Sequence, residues 1–175
     1  LGEMGQVTMY LLQAAVNPAL LAPPLGEPVQ GVVWPSVPVP PESSLAEAIL
    51  GYGTHEVPRK FEKLAAMVAA NAADGRKTLV WSNFVDNIDE VARSVLAPFQ
   101  PAVVHGRIPS SDGALEEPTR EAELSRFRGH DECTVLIANP AAMSEGVSLH
   151  HACHDAIYLD RTFNAGQYLQ SLDRI

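Results

Sequence analysis

The chain has little cysteine and no long apolar run. Its two cysteines, Cys133 and Cys153, do not form a disulfide framework, which fits a reducing cytoplasm. No apolar run approaches the roughly 18 residues of a membrane span, and the first residues lack the pattern of a signal peptide. We therefore expect a cytoplasmic protein without a membrane partner. The sequence also lacks the GxxxxGK[ST] and GxGxxG phosphate-binding motifs.

Basic residues are missing from the first third of the chain. Residues 1–58 carry five acids and no lysine or arginine, whereas the remaining residues carry 16 acids and all 12 bases. The formal net charge of −9 argues against a free-standing nucleic-acid binder, because such proteins usually present a basic surface. A positive patch is possible only in the second part of the chain.

Proline dominates one early stretch. Seven prolines lie between Pro23 and Pro41, which excludes a helix or a central strand and predicts an irregular, extended connection. The preceding segment GQVTMYLLQAAV is predicted to be a short helix that ends at Asn17-Pro18. The following segment SSLAEAIL is predicted to be another, with Ser43 or Ser44 as its N-cap.

From Pro58 onward, helical and strand patterns alternate. The predicted helices are PRKFEKLAAMVAANAADG, NIDEVARSVLAPF, PTREAELSRFRG and GQYLQSLDRI, with Gly129 just past the end of the third. The predicted strands are KTLVWS, PAVVHG, CTVLIAN and DAIYLD. Continuous apolar strands that alternate with helices predict an α/β fold, with a parallel sheet covered by helices on both faces.

The ends of the predicted strands are polar or small. Ligands of such sheets bind beyond the carboxyl ends of the strands, where amides and short side chains meet phosphates. The four strand ends are therefore candidate ligand contacts: Ser82-Asn83, His105-Gly106, the loop Asn139 to Gly146, and Asp160 to Asn164.

The last predicted helix is amphipathic. A helical wheel places Gln170 beside Arg174, four residues later, on a polar face. The remaining residues divide into a polar set of Gln167 and Asp173 and a set able to bury itself, namely Tyr168, Leu172 and Ile175. From this pattern alone, an amphipathic surface helix remains an alternative.

Six blocks in order carry a family resemblance: LVWSNF, VVHGRI, TREAELSRF, VLIANPAAMSEGVSL, AIYLDRTFN and QYLQSLDRI. Together they resemble the second RecA-like lobe of superfamily-two helicases, most closely the Swi/Snf-type DNA translocases. The resemblance implies an inter-lobe connector helix with a Pro-rich insertion over residues 1–57. It implies a helicase C-terminal lobe over residues 58–175 that stops inside motif six.

The resemblance also implies a function and partners. The chain is expected to be the C-terminal motor lobe of an ATP-dependent DNA translocase, with the first RecA-like lobe of the same polypeptide as its partner. ATP with Mg²⁺ would be bound mainly by that first lobe, so the chain alone is expected to be inactive. Double-stranded DNA is the expected substrate. An RNA or single-strand helicase lobe, or a non-catalytic α/β docking module, remain as alternatives.

Site residues follow from the resemblance, position by position. Ser82 and Asn83 match motif four, and His105 and Gly106 match the next strand end, all facing nucleic acid. Arg120 and Phe127 match the helix that follows. Motif five is matched by Ser144, facing nucleic acid, and by Glu145 and Gly146, facing the nucleotide. Motif six is matched by Gln170 and Arg174 as catalytic residues, Arg174 also binding the nucleotide; no metal ligand is implied.

Several of these residues also have structural interpretations. Ser82 or Asn83 is a suitable cap for the next helix, and Arg120 is placed to pair with Glu116, Glu117 or Glu123. The segment HHACH places His150 and His154 on one helical face, where zinc is an alternative to a plain histidine cluster. Cys133 and Trp81 lie in apolar strands and are predicted to belong to the core.

Overall fold

The computed structural model describes residues 2–22, 37–109, 119–143, 147–161 and 163–175. The chain divides into two compact units, Leu1–Lys60 and Phe61–Ile175. Among the residues described, no helix combines the length and apolarity that a membrane crossing requires.

The first unit is helical. Helix α1 spans Glu3–Val16, a 3₁₀ turn spans Pro18–Leu21, and helix α2 spans Ser44–His55. The Asn17 side chain accepts a hydrogen bond from the Ala19 amide where α1 ends, and the Ser43 hydroxyl caps α2 by accepting from the Ala46 amide. Both predicted helices and the Ser43 cap are confirmed. Most of the Pro-rich stretch, residues 23–36, lies outside the described residues.

The second part of the chain alternates helices and strands as predicted. Its helices and strands begin and end as follows: α3 Arg59–Ala73, β1 Thr78–Trp81, α4 Val85–Arg93, a 3₁₀ turn Ala97–Phe99, β2 Ala102–Val104, α5 Arg120–Gly129, β3 Val135–Ala138, β4 Asp155–Tyr158 and α6 Ala165–Leu172.

The four strands form one parallel sheet in the order β2-β3-β1-β4. Strand β1 pairs with β3 on one side, Thr78 opposite Val135, and with β4 on the other, Thr78 opposite Asp155. Every residue of β1 and β3 is buried, so both faces of the sheet are covered. The predicted α/β fold class is confirmed, and the chain reverses its direction across the sheet beside β1.

Apolar side chains from the strands and helices form the core of the second unit, Phe61–Ile175. Trp81 is 1% exposed and Cys133 is 2% exposed, so both core predictions are confirmed. Phe127 of α5, matched to a helicase block from sequence, is fully buried and therefore packs rather than contacting a ligand. The core cluster also includes Leu79, Ala102, Val104, Leu136, Met143 and Leu149.

Helix α6 is shorter than predicted. It ends at Leu172, and Asp173 is its C-cap, so Arg174 does not stand one helical turn above Gln170 and that prediction is wrong. Leu172 was predicted to be buried but is 42% exposed, whereas Ser171 is 3% exposed. The reason is a hydrogen bond of 2.7 Å between the hydroxyls of Ser171 and Tyr158, which turns Ser171 toward the sheet.

The structure also contradicts one smaller prediction, the position of Gly129, and two structural alternatives. Neither Ser82 nor Asn83 caps α4, because Phe84 occupies the N-cap position. Gly129 is the last residue of α5 rather than the residue past its end. His150 and His154 lie in and after a turn, not on a helix, so they share no helical face. In the described part of the chain, no group of three His, Cys, Asp or Glu residues is placed to hold a metal ion.

Candidate functional site

Backbone hydrogen bonds continue between neighbouring strands beyond their carboxyl ends. The Asn139 amide donates to the Val104 carbonyl at 2.9 Å, and the Leu159 amide donates to the Trp81 carbonyl at 2.9 Å. The Ser82 amide donates to the Ala138 carbonyl at 3.1 Å. The predicted strand ends therefore lie side by side at one edge of the sheet. Beyond Met143, the loop that contains Ser144, Glu145 and Gly146 lies outside the described residues.

Asp160 is the central acceptor of this edge. Its carboxylate, 6% exposed, accepts from the Ser82 hydroxyl at 2.5 Å, from the Asn83 amide at 2.7 Å and from the Asn83 side chain at 2.8 Å. Three donors compensate the burial of a charged group, which is otherwise costly. The end of β4 is thereby bound to the loop after β1.

Asn139 extends this network to the next strand. Its side-chain amide donates to the Asn83 carbonyl at 3.0 Å, and its side-chain oxygen accepts from the Ala141 amide at 2.9 Å. Asn83 is therefore held through its backbone amide, its side chain and its carbonyl. The half-buried Asn83 side chain has a fixed position beside solvent.

The end of β2 is fixed by an ion-pair cluster on α4. The His105 ring, 4% exposed, contacts Asp89 through Nε2 at 2.9 Å and accepts from the Arg107 amide through Nδ1 at 3.2 Å, so Nε2 carries the proton. The Arg107 guanidinium pairs with Asp89 at 3.0 Å and with Asp86 at 2.6 Å. His105 is thus a buried anchor, and Gly106 and Arg107 form the exposed tip.

Asp89 and Arg107 are electrostatically coupled. Burial alone would raise the pKa of Asp89, but the hydrogen bond from His105 and the charges of Arg107 and Arg93 lower it below its usual value. Burial likewise opposes the charge of Arg107, yet the bonds and charges of Asp86 and Asp89 raise the pKa of its guanidinium. Both groups therefore stay charged at neutral pH.

Arg120 supports the same loop from α5. Its Nε donates to the Ile108 carbonyl at 2.8 Å, and a second nitrogen lies 3.5 Å from the Gly106 carbonyl. The alternative in which Arg120 pairs with Glu123 is wrong, because Glu123 binds Arg126 at 2.8 Å and the Val103 amide at 2.8 Å. Glu116 and Glu117 lie outside the described residues. The Arg120 side chain thus donates to backbone carbonyls of the loop after β2.

Aromatic side chains join the end of β4 to α6. The rings of Tyr158 and Tyr168 meet edge to face at 5.3 Å, and the Arg161 guanidinium lies 5.2 Å and 4.9 Å from the two ring centres. Burial raises the pKa of Tyr158, so its hydroxyl remains protonated and bonded to Ser171. A shallow hollow beside these rings is lined by Asn83, Pro140, Asp160 and Gln167 as well.

Arg174 contacts the segment that follows the motif-five loop. One guanidinium nitrogen donates to the Val147 carbonyl at 3.1 Å, and the Arg174 carbonyl accepts from the Leu149 amide at 2.8 Å. Arg128 of α5 donates to the Ser148 carbonyl at 3.1 Å from another side. The second terminal nitrogen of Arg174 makes no hydrogen bond to the described residues. Gln170 is exposed.

The predicted site residues therefore divide by position. Gly106 and Gln170 are exposed, Asn83 and Arg174 are half-buried, and Ser82 and His105 are buried with their polar atoms engaged. Sequence reasoning named Asp160 and Arg161 only as part of the strand end Asp160 to Asn164, without assigning either a role, and it did not name Asp89. A usable signal exists for Asp160, because a charged pair, Asp160-Arg161, follows the apolar run of β4 directly.

The described residues offer a contact for a phosphate group but no site for Mg²⁺. They include no carboxylate or histidine cluster suited to a metal ion, and the sequence has no phosphate-binding loop, so the described residues do not by themselves fit Mg²⁺. The Arg174 guanidinium does fit a phosphate oxygen, because a planar cation with unengaged donors lies half-buried at the end of α6.

The fold has similar solved structures. A crystal structure of the C-terminal part of the Fun30 ATPase domain is 21% identical with a TM-score of 0.51, and the match covers 66% of this chain and 35% of that chain. The Sulfolobus solfataricus SWI2/SNF2 ATPase C-terminal domain is 19% identical with a TM-score of 0.47, covering 65% and 48%. The chain thus spans between about a third and a half of the structures it matches.

Family comparison covers the whole second part of the chain. No curated protein matches. The family described as helicase conserved C-terminal domain matches residues 59–175, from the first residue of α3 to the end of α6 and beyond it. The match includes each strand-end loop described above. The chain therefore belongs to the helicase conserved C-terminal domain family.

Proposed function

We propose that this chain is the second motor lobe of an ATP-dependent translocase acting in the cytoplasm on double-stranded DNA. The observation that carries the proposal is the family match over residues 59–175. It is supported by the position of the strand-end loops, which lie at one edge of the same sheet that α6 packs against through Tyr158 and Ser171. The first RecA-like lobe of the same polypeptide would complete the ATP site.

On the nucleotide side, Arg174 is the proposed phosphate contact. Phosphoryl transfer depends mainly on positioning and charge stabilisation, and an arginine finger contributes about 10³–10⁵-fold in rate. The Val147 carbonyl holds one nitrogen of Arg174 and leaves other donors for a phosphate oxygen. Gln170 would add a neutral contact, and Glu145 and Gly146 are proposed to lie near the nucleotide. Mg²⁺ and the remaining phosphate contacts are assigned to the first lobe.

On the nucleic-acid side, the proposed direct contacts are Gly106, Asn83 and Ser144. Buried Ser82 and His105 would act through their neighbours: Ser82 through Asp160, and His105 through Asp89 and the Arg107 amide. Amides and short side chains contact phosphate oxygens rather than base edges, so binding would be independent of sequence. The Arg107 guanidinium is held by Asp86 and Asp89, which limits the positive charge it offers to a phosphate.

The type of nucleic acid is tested with the polypeptide that carries both lobes. Steady-state ATP hydrolysis is measured with double-stranded DNA, single-stranded DNA and RNA of equal length. We expect double-stranded DNA to stimulate hydrolysis most. Stimulation mainly by RNA or by single strands would replace the proposal with the alternative helicase lobe.

A docking module is the second candidate, and one observation favours it. Helix α1 exposes Met4, Val7 and Leu11, at the spacing of one helical face, within residues 1–58, which contain no lysine or arginine. Such a module would keep the fold without ATP turnover. Hydrolysis that is absent from the two-lobed polypeptide under every nucleic-acid condition would favour docking over the motor proposal.

A further inference from the structure

The short segment Tyr158–Arg161, between β4 and α6, is attached on both of its sides. On one side Tyr158 bonds to Ser171 of α6 at 2.7 Å, and Arg161 stacks over Tyr158 and Tyr168. This side ties the segment to the helix that precedes Arg174. A displacement of α6 would therefore carry the segment with it.

On the other side, Asp160 binds the loop after β1. Its two carboxylate oxygens accept hydrogen bonds from the Ser82 hydroxyl and from both the backbone amide and the side-chain amide of Asn83. The Ser82 oxygen in turn accepts from the Phe84 amide at 3.3 Å, at the start of α4. A single buried carboxylate therefore binds both residues at the start of the Ser82–Phe84 turn.

We propose that Asp160 is a positioning residue that couples α6 to the Ser82–Phe84 turn. This inference rests on the proposed function, since it assumes that α6 faces the nucleotide and Asn83 faces nucleic acid. When α6 adjusts to the nucleotide, the Tyr158–Arg161 segment moves with it and Asp160 shifts Asn83. Coupling requires no direct contact between Asp160 and either ligand, and it uses bonds between elements that lie 77 residues apart in sequence.

The positioning of Asn83 by Asp160 can be tested in the 175-residue chain. Hydrogen exchange at the Asn83 amide is measured in the 175-residue chain and in its Asp160→Asn and Asp160→Ala variants. Because the alanine variant removes the acceptor, we expect exchange to rise by about 10-fold, with a smaller rise for asparagine, which keeps one oxygen. Asp155→Ala is the matched control, since Asp155 opens the same strand and pairs with Arg76 at the opposite edge.

The coupling is tested in the two-lobed polypeptide. We expect Asp160→Asn to raise the DNA concentration that half-maximally stimulates ATP hydrolysis by about 10-fold, with the KM for ATP changed by less than about 2-fold. Ser171→Ala, which removes the hydroxyl bond between α6 and Tyr158, should raise the same DNA concentration. In the double variant Asp160→Asn/Ser171→Ala, the logarithm of the half-maximal DNA concentration should rise by less than the sum of the two single increases. The reason is that both bonds belong to the same connection between α6 and the turn.

The outcomes separate the two claims. A wild-type polypeptide without DNA-stimulated hydrolysis contradicts the proposed function. A stimulated wild type whose Asp160→Asn and Ser171→Ala variants need no more DNA overturns the coupling. An unchanged hydrogen-exchange rate of the Asn83 amide in Asp160→Ala would also overturn the coupling. If Asp160→Asn fails to fold in the two-lobed polypeptide, Ser171→Ala still decides the matter.

Discussion

The guanidinium of Arg174 lies 3.1 Å from the Val147 carbonyl, although the two residues are 27 positions apart. A second hydrogen bond, from the Leu149 amide to the Arg174 carbonyl at 2.8 Å, joins the same two segments. The end of α6 is therefore fixed to the segment that follows the motif-five loop. In the proposed motor, the phosphate-facing arginine and the segment after that loop would respond to each other through these two hydrogen bonds.

The first prediction separates core packing from surface packing. Leu136→Ala should lower the free energy of unfolding by about 2–5 kcal/mol, because Leu136 is fully buried and its truncation leaves a cavity. Leu172→Ala should cost less than about 1 kcal/mol, because Leu172 is 42% exposed. Urea unfolding of both variants measures the difference. Equal losses would show that Leu172 is buried in solution and that α6 continues past it.

The second prediction concerns acid stability. The pKa of Asp89 is lowered in the folded state, so its ion pair stabilises the fold above the unfolded pKa of about 4. That contribution is lost as the pH falls through the lower, folded value. The melting temperature of wild type should therefore exceed that of Asp89→Asn at pH 6, and the gap should narrow toward pH 3.

Asp131→Asn is the control for this pH series, because Asp131 is exposed in a turn. Its melting temperature should follow that of wild type at every pH. A gap between wild type and Asp89→Asn that is constant from pH 6 to pH 3 would mean that Asp89 does not carry a lowered pKa.

The third prediction concerns nucleic-acid binding by the 175-residue chain alone. Binding should be weak and should fall steeply with salt, since few cations oppose a net charge of −9. Asp86→Asn should tighten it several-fold at low salt, because it releases part of Arg107. Fluorescence anisotropy at two salt concentrations measures both effects. Tight binding that survives salt would contradict the surface described here.

The fourth prediction concerns the activity of the same chain. It should not hydrolyse ATP, because its sequence has no phosphate-binding loop and its described residues form no metal site. Steady-state phosphate release by the purified chain is the measurement, and Arg174→Ala controls for a contaminating ATPase. Turnover that Arg174→Ala abolishes would mean that the chain holds a complete site of its own.

The fold was predictable because its strands are continuous apolar runs. Strands β1 and β3 are buried along their whole length. A fully buried strand appears in the sequence as a continuous apolar run, whichever strands it pairs with. The strand-end site was predictable for the same reason, since parallel strands bring their carboxyl ends to one edge. Ser82, Asn83, His105 and Gly106 were therefore located correctly, although their functional roles remain predictions.

Details that depend on distant pairs were not predictable. The bonds of Asp160 to Asn83 join residues 77 positions apart, and helical or strand periodicity carries no information about them. The buried side of α6 was predicted from apolar residues, yet the Tyr158–Ser171 hydroxyl pair turns Ser171 inward and leaves Leu172 exposed. Arg120 was expected to meet acids nearby in sequence but binds carbonyls of the loop after β2.

The most direct test of the motor proposal is ATP turnover by the two-lobed polypeptide with Arg174→Ala. We expect kcat to fall by about 10³-fold with a smaller change in KM, because the guanidinium acts on charge that develops during phosphoryl transfer. Arg76→Ala is the control, since Arg76 pairs with Asp74 and Asp155 at the opposite edge of the sheet and should leave turnover unchanged. An Arg174→Ala variant that folds and keeps near-wild-type turnover would contradict the account and leave α6 as an ordinary surface helix.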